Sequence, residues 1–161
     1  MTVILASIAF WAPVTFACVG DDGKPEVLKF RARYKRLKKS EREALDHSVA
    51  AYHLTEASRN ELQKRIDDPK TSAQQRKYWQ DRLAARTLSD AEVLNDLLVD
   101  WELKDHLGQF VAYTPATRDQ LSEDFDGFEG SLVTAYFDAV KKPLTVEDVE
   151  KNSEAQSATT S

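Results

Sequence analysis

A single cysteine, Cys18, among 161 residues excludes an intrachain disulfide and any cysteine-cluster metal site, and makes a reducing compartment the simplest setting. The five glycines are scattered and none builds a phosphate-cradling loop, so nucleotide binding of the familiar kinds has no support. His47, His53 and His106 lack the four-residue spacing that sets two ligands on one helical face, and the cysteine has no neighbouring histidine. Surface or packed histidines are the better reading, and no metal or cofactor is expected. Long apolar runs are also missing. Residues 3–19 come closest, but Trp11 and Pro13 interrupt them, no Lys or Arg precedes them, and they fall short of the roughly 20 residues that span a bilayer. A secretory signal, or a poor lipoprotein cleavage site at Thr15-Phe16-Ala17-Cys18, is the competing reading and would make this an exported envelope protein.

What is present is charge, unevenly placed. The net charge of -5 gives no global reason for nucleic-acid binding. Yet Lys29, Arg31, Arg33, Lys35, Arg36, Lys38, Lys39 and Arg42 crowd one short stretch opposed only by Glu41 and Glu43, whereas residues 88–138 are strongly acidic. The molecule is therefore polarised.

Within the basic stretch, Leu28, Phe30, Ala32 and Tyr34 alternate with Lys29, Arg31, Arg33 and Lys35, which predicts a strand over 27–36 with one apolar and one cationic face. Val14, Phe16 and Cys18 alternate upstream, and Gly20-Asp21-Asp22-Gly23-Lys24-Pro25 is rich in turn formers, so the two segments read as a β-hairpin with a long loop. Cys18 is expected to be a buried strand residue. Residues 2–10 fit a further strand or a short buried helix equally well.

The rest reads as helix. Ser40 with Glu43 has capping-box spacing, with Leu45, Val49 and Tyr52 following on one face, and the helix can run on through Leu54, Leu62 and Ile66 until Asp67-Asp68-Pro69 turns the chain. Ser72 with Gln75 starts another, on which Trp79, Leu83 and Arg86 share a face, so an antiparallel helical hairpin is expected. Residues 88–140 carry three more capped segments. Ser89 with Glu92 is a capping box, and Leu94, Leu97, Leu98 and Trp101 recur at helical intervals. Thr114-Pro115 opens a second helix with Leu121 and Phe125 facing inward. After Gly127, the residues Phe128, Leu132, Val133, Tyr136, Phe137 and Val140 form the widest apolar face in the chain, ended by Lys141, Lys142 and Pro143.

These patterns predict an α+β fold, predominantly α-helical, with an N-terminal β-hairpin or small antiparallel sheet packed on a helical bundle. Residues 1–144 form a single globular domain, β-rich over 1–37 and helical over 40–144, and 145–161 form a flexible acidic and polar tail. No internal repeat and no linker divide the chain.

Reactive chemistry is hard to find. Carboxylates are abundant but nothing selects an acid–base pair, and Glu123, Asp124, Asp126 and Glu129 lack the ordered spacing of a calcium loop, so they read as a solvated acidic turn. A binding protein rather than an enzyme is expected, with no catalytic residues. The basic row reads in three ways: a solvated outer face with edge-protecting charges, a dock for an acidic protein surface including the acidic half of another copy, or a nucleic-acid contact. Tyr34 falls on the opposite, apolar face, so the row lacks interleaved aromatics and nucleic acid is disfavoured. Trp101 reads either as a core residue or as an interface anchor. The candidate protein-binding residues are Arg31, Arg33, Lys35, Arg36, Trp101 and Tyr136.

The arrangement resembles the tail assembly chaperones of long-tailed bacteriophages. The resemblance rests on Phe30-Arg31-Ala32-Arg33-Tyr34 with Arg36-Leu37 and Ser40-Glu41-Arg42, then Leu88-Ser89-Asp90 leading into Leu97-Leu98-Val99-Asp100-Trp101, then Tyr113-Thr114-Pro115 and Leu121. Leu132-Val133-Thr134-Ala135-Tyr136-Phe137 and, further on, Glu150-Lys151-Asn152 complete it. The resemblance lies in the order and intervals of these motifs together, and it covers most of the chain. The long charged helical stretch from about His53 to Arg86 departs from shorter members of the family. The resemblance implies a non-enzymatic protein of the host cell cytoplasm, absent from the mature virion. Such a protein binds and solubilises the tape measure protein, helps recruit tail tube protein, and self-associates. It also implies a longer frameshifted product, for which codons GAA AAA AAC at Glu150-Lys151-Asn152, or a similar run at Val140-Lys141-Lys142, would offer a slippery site. The alternative is a small phage or bacterial adaptor using the basic strand to bind an acidic protein or nucleic acid.

Overall fold

The computed structural model describes residues 8–141. The alternation near the N-terminus becomes two antiparallel strands, β1 (Ala9–Val19) and β2 (Pro25–Lys35), in a register that sets Phe10 opposite Tyr34, Ala12 opposite Ala32, Val14 opposite Phe30 and Phe16 opposite Leu28. Phe10 and Leu28 are half-buried and the other six are buried, so period two puts a continuous apolar face on one side. The connecting turn closes through the Gly20 amide donating to the Lys24 carbonyl at 2.8 Å, with Gly23 at φ 76°, a value that L side chains rarely adopt. Pro13 is tolerated in β1 because the ladder bonds fall on even-numbered residues, as the bond from the Arg36 amide to the Ile8 carbonyl shows. The Pro13 nitrogen therefore points away from β2, so its missing N–H removes no bond of the β1–β2 ladder. Ala9 and Phe10 belong to β1 rather than to a separate element, and the remainder of the expected N-terminal strand or helix lies outside the described residues, as does the expected tail. Cys18 is in the strand but only half-buried.

One helix covers this apolar face. In α6 (Phe128–Lys141), Phe128, Leu132, Val133, Ala135, Tyr136 and Phe137 are all buried, and the helix runs antiparallel to β1, with Phe128 against Phe16 and Tyr136 against Phe10. The Tyr34 hydroxyl donates to the Leu132 carbonyl at 2.7 Å, which supplies the partner a buried phenol requires, and burial raises its pKa far above the ordinary tyrosine value. The fold is α+β and mostly helical, with a three-stranded antiparallel sheet in the order β1-β2-β3.

The third strand corrects the sequence reading. The helix capped by Ser89, α4 (Asp90–Leu97), stops before Leu98, and Leu98–Trp101 forms β3 beside β2. Leu98 and Trp101 are three residues apart, a helical interval that in a regular strand would put them on opposite faces. A bulge resolves this: Leu98 pairs with Tyr34, Asp100 with Arg33 and Trp101 with Ala32, leaving Val99 as the extra residue, so both flanking side chains are buried. Trp101 Nε1 donates to the Val111 carbonyl at 2.7 Å.

The helices on the far side follow their caps more than their hydrophobic runs. α1 (Lys39–Tyr52) begins one residue before Ser40, with the Lys38 amide donating to Glu41 Oε2 at 2.8 Å, so the expected Ser40/Glu43 box does not form. It also ends at Tyr52 instead of running on. Thr55 Oγ1 accepts from the Ser58 amide at 3.1 Å and starts α2 (Glu56–Asp67), a competing cap that outweighs helical continuity through Leu54. The Asp68-Pro69 turn leads to α3 (Ala73–Ala84), capped by Ser72 at 3.2 Å from the Gln75 amide. α2 and α3 pack as the expected hairpin, with Arg76 Nε donating to the Ile66 carbonyl at 3.0 Å; Trp79 and Leu83 are half-buried, and Arg86 lies beyond the helix. α5 (Pro115–Asp124) opens on Thr114 and Pro115 as expected. Its Leu121 is half-buried, whereas Phe125, expected inside, is 38% exposed.

At α4 the capping box is complete. Ser89 Oγ accepts from the Glu92 amide at 3.3 Å and Glu92 Oε2 accepts from the Ser89 amide at 2.8 Å, which holds the Glu92 carboxyl below its ordinary pKa. A lowered folded-state pKa contributes stability above the unfolded pKa and loses it as pH falls through the folded value, so this half of the cap fails only on acidification below the usual carboxylate range. Ser89→Ala is expected to cost about 1 kcal/mol, measured as a shift of the urea midpoint at neutral pH with unchanged slope.

Candidate functional site

Among the described residues, helices cover one side of the sheet and leave the other open. On the other side the odd-numbered residues of β2 point outward, and Lys29 and Lys35 are exposed. Arg31 and Arg33 do not simply extend into water. Trp11 of β1 is paired with Arg33 and is 37% exposed, and the two guanidinium carbons sit 5.3 and 6.0 Å from its ring centre. The basic row thus does contain an aromatic, supplied by the neighbouring strand, where the sequence reading expected none. The signal was available in the hairpin register, since Trp11 has the same parity as Pro13 and Thr15.

Arg31 is further tied across the sheet. Its Nε and Nη2 donate to Glu102 Oε2 and Oε1, both at 2.8 Å, a two-pronged arrangement that raises the arginine pKa and lowers that of the carboxyl. Both groups are solvent-accessible, so the pair orders the face more than it stabilises the fold. Beyond β3 the same alternation continues: Trp101 and Leu103 are buried, Glu102 and Lys104 point out, and Lys104 bridges to Phe110 with its ammonium 5.0 Å from the Phe110 ring centre. Asp105 Oδ1 accepts from the Leu107 and Gln109 amides, both at 2.9 Å, and this turn presents Leu107 and Phe110 at 70% and 68% exposure. The outer face is therefore a band of cations running from Trp11 at one end to Phe110 at the other, with Val27 and Val99 also exposed on it.

The expected charge polarity follows the strand axis. At the open end of the hairpin Arg36 lies 5.2 Å over the Phe10 ring, and Lys35, Lys38, Lys39, Arg42 and Lys141 gather nearby. At the turn end, Asp21, Asp22 and Glu26 join Asp124 and Asp126 of the turn before α6, beside a shallow depression lined by Val19, Pro25 and Phe125. Eleven strand residues at about 3.3 Å each separate the two ends.

Of the residues expected to bind protein, Arg31, Arg33 and Lys35 share the outer face and Arg36 sits at its basic end. Trp101 and Tyr136 do not belong there. At 4% and 1% exposure both are core residues, Trp101 against Phe128 and Tyr113, Tyr136 against Phe10 and Tyr34. Helical spacing made Trp101 look like the end of an amphipathic stripe, whereas pairing of β3 draws it under the sheet. Two of the three histidines have side-chain partners: His47 Nδ1 accepts from Arg82 Nε at 3.0 Å, and His53 Nε2 lies 3.1 Å from Asp90 Oδ1. Among the described residues no group of three or more His, Cys, Asp or Glu is placed to hold a metal ion, and no helix is long and apolar enough to cross a membrane. Glu123, Asp124 and Asp126 form an exposed acidic turn, but Glu129 turns inward to within 3.8 Å of Arg118 Nε. Comparison with family models, with curated proteins and with solved structures finds no match to this chain.

Proposed function

We propose that this protein is a tail assembly chaperone of a long-tailed bacteriophage. It binds the tape measure protein in the host cell cytoplasm, keeps it soluble, helps recruit tail tube subunits, and is left out of the mature virion. The observation that carries the reading is the outer face of the sheet: the side that no described helix covers offers Lys29, Arg33 and Lys35 between the exposed rings of Trp11 and Phe110. Such a face suits an amphipathic, acidic segment, with rings for its apolar side and cations for its carboxylates. Charges that remain near water give contacts that form fast and release readily, as required of copies that coat a long chain and are later displaced. The order of the motifs in the sequence supports the same reading, as does the polarity along the strands, which suits association of copies.

The test is co-expression with the neighbouring tail genes. The wild-type chain should hold tape measure protein in the soluble fraction and co-purify with it, and the triple variant K29E/R33E/K35E should lower the recovered complex roughly tenfold, a ratio equal to about 1.4 kcal/mol. A chain that stays monomeric at high concentration and leaves its tape measure protein insoluble is not such a chaperone. The adaptor reading draws on the stacking of Arg31 and Arg33 on Trp11, which a nucleic acid could also use. A gene lying beside those for tail tube and tape measure proteins, with a slippery run at the codons for Glu150-Lys151-Asn152, favours the chaperone.

A further inference from the structure

The two edges of the sheet are unlike. β2 is the middle strand, between β1 and β3, so the cationic row of Lys29, Arg31, Arg33 and Lys35 guards neither edge. β3 is only four residues long and bulged, and the chain beyond it folds back so that the Val111 amide donates to the Leu103 carbonyl at 2.8 Å. β1 is eleven residues long and carries no charged residue from Ala9 to Val19. Its even-numbered residues bond to β2, so the backbone groups of Trp11, Thr15, Ala17 and Val19 point away from the sheet. Among the described residues nothing pairs with them. All four residues are exposed, Val19 at 71%. A long, uncharged strand with open backbone groups is a template for another strand.

The charge along the strand axis selects the occupant. Lys35, Arg36 and Lys38 make one end basic, and Asp21, Asp22 and Glu26 make the other acidic. A second copy of β1 laid antiparallel sets each basic end beside the other copy's acidic end, whereas a parallel copy sets like ends together. The side chains match as well. About a two-fold axis at Thr15, Thr15 faces its own copy, Pro13 faces Ala17, and Trp11 faces Val19, an aromatic against a β-branched side chain. Odd-numbered residues then lie opposite odd-numbered ones, so outward amides meet outward carbonyls, and only Pro13, which has no N–H, leaves the facing Ala17 carbonyl without a donor. Beside this edge, the flank of α6 presents Gly127, Gly130, Ser131, Thr134 and Asp138 around a depression of about 340 Å³ that Pro13 and Thr15 also line. The lining holds no aromatic or long side chain, which leaves room for an approaching strand.

We propose that two copies of this chain pair through β1, antiparallel about a two-fold axis at Thr15, and so join two three-stranded sheets into one of six strands. The same edge serves both copies, so the pairing closes at two. It also brings the two outer cationic faces onto one side as a single surface. The pairing rests on the strand edge and stands without the chaperone reading.

Sedimentation equilibrium of the full wild-type chain should show a mass that rises with concentration from 18.2 kDa toward twice that value. Thr15→Lys sets two cations directly opposite each other and should raise the dissociation constant roughly fivefold. In a Cys18→Ser background, Thr15→Cys should oxidise to a disulfide between copies, since directly opposed bonded residues lie about 5.5 Å apart at Cα. Val19→Cys in that background should not, because antiparallel pairing holds its two copies about 26 Å apart. Equal cross-linking of both cysteines would mean parallel copies and overturn the proposal. Association that is indifferent to Thr15→Lys, with no Thr15→Cys disulfide, would assign it to another surface and overturn it too. The wild-type mass needs no substitution, so a chain that stays at 18.2 kDa at every concentration overturns the pairing outright. If that monomer still keeps tape measure protein soluble, the pairing alone fails and the chaperone reading survives.

Discussion

Phe128→Ala is expected to destabilise the protein by about 4 kcal/mol, within the range for truncating a fully packed aromatic. Phe128 is the first residue of α6 and is 2% exposed. Its ring meets Phe16 of β1 edge-on at 5.5 Å, lies nearly parallel to Phe30 of β2 at 6.2 Å, and meets Trp101 of β3 at 5.9 Å, so one side chain touches all three strands. The neighbours cannot close the resulting void cheaply. Phe16 and Phe30 are held by the hairpin ladder and Trp101 by its bond to the Val111 carbonyl. Gly127, at φ 81°, fixes the direction in which α6 starts. For a chain of this size the loss corresponds to a fall in Tm on the order of 10 °C. Phe125→Ala is the control: its ring is 6.3 Å from Phe16 but 38% exposed, and about 1 kcal/mol is expected. Urea titrations of both variants decide the matter, and equal losses would mean that Phe128 is not the joint between helix and sheet.

Arg118→Ala should cost about 3 kcal/mol, and Arg118→Met only about 1 kcal/mol. Arg118 is the one charged side chain in the core of the described residues, at 2% exposure. Its Nη2 donates to Asn95 Oδ1 of α4 at 2.7 Å and to Asp119 Oδ1 at 2.8 Å, and its Nε is 3.8 Å from Glu129 of α6, so it ties three helices together. The tie is imperfect. Nε and Nη1 are buried with no hydrogen-bond partner, a cost that offsets part of the gain from the ion pairs. Alanine loses the pairs and opens a void, whereas methionine fills the space without the desolvation cost. A double-mutant cycle with Glu129→Gln should give a coupling of about 1 kcal/mol if the Glu129 pair contributes. If the methionine variant proved as unstable as the alanine one, the charge itself, and not the volume, would be what the site requires.

Neither residue carried its role openly in the sequence. Phe128 could be placed on an apolar helical face by its spacing to Leu132 and Tyr136, but not against three particular strands. Arg118 gave no signal, since a lone arginine on a short helix reads as solvated. The hairpin was legible because alternation over β2 is strict and Gly20 to Pro25 is dense in turn formers. The starts of α4 and α5 were legible because Ser89 with Glu92, and Thr114 with Pro115, satisfy free amides a few residues away. Where two local signals competed, as at Leu54 and Thr55, the hydrophobic run pointed to one helix and the cap produced two.

The candidate surface divides in the same way. The cationic character of β2 is a matter of which residues alternate, and it was readable along the strand. That Arg31 and Arg33 stack on Trp11, that Glu102 pins Arg31, and that Phe110 ends the band all depend on neighbours in space. The sequence by itself determined the two-residue and helical periodicities, the caps and the segregation of charge, because each arises from bonds and exposures within a few residues. Only the tertiary structure decided that Leu98 to Trp101 would be strand, that a bulge would bury Trp101, and that the described helices would leave one face of the sheet uncovered. Those outcomes depend on hydrogen bonds and packing between segments far apart in the chain, where pairing with β2 satisfied backbone groups that another turn of α4 would have satisfied locally.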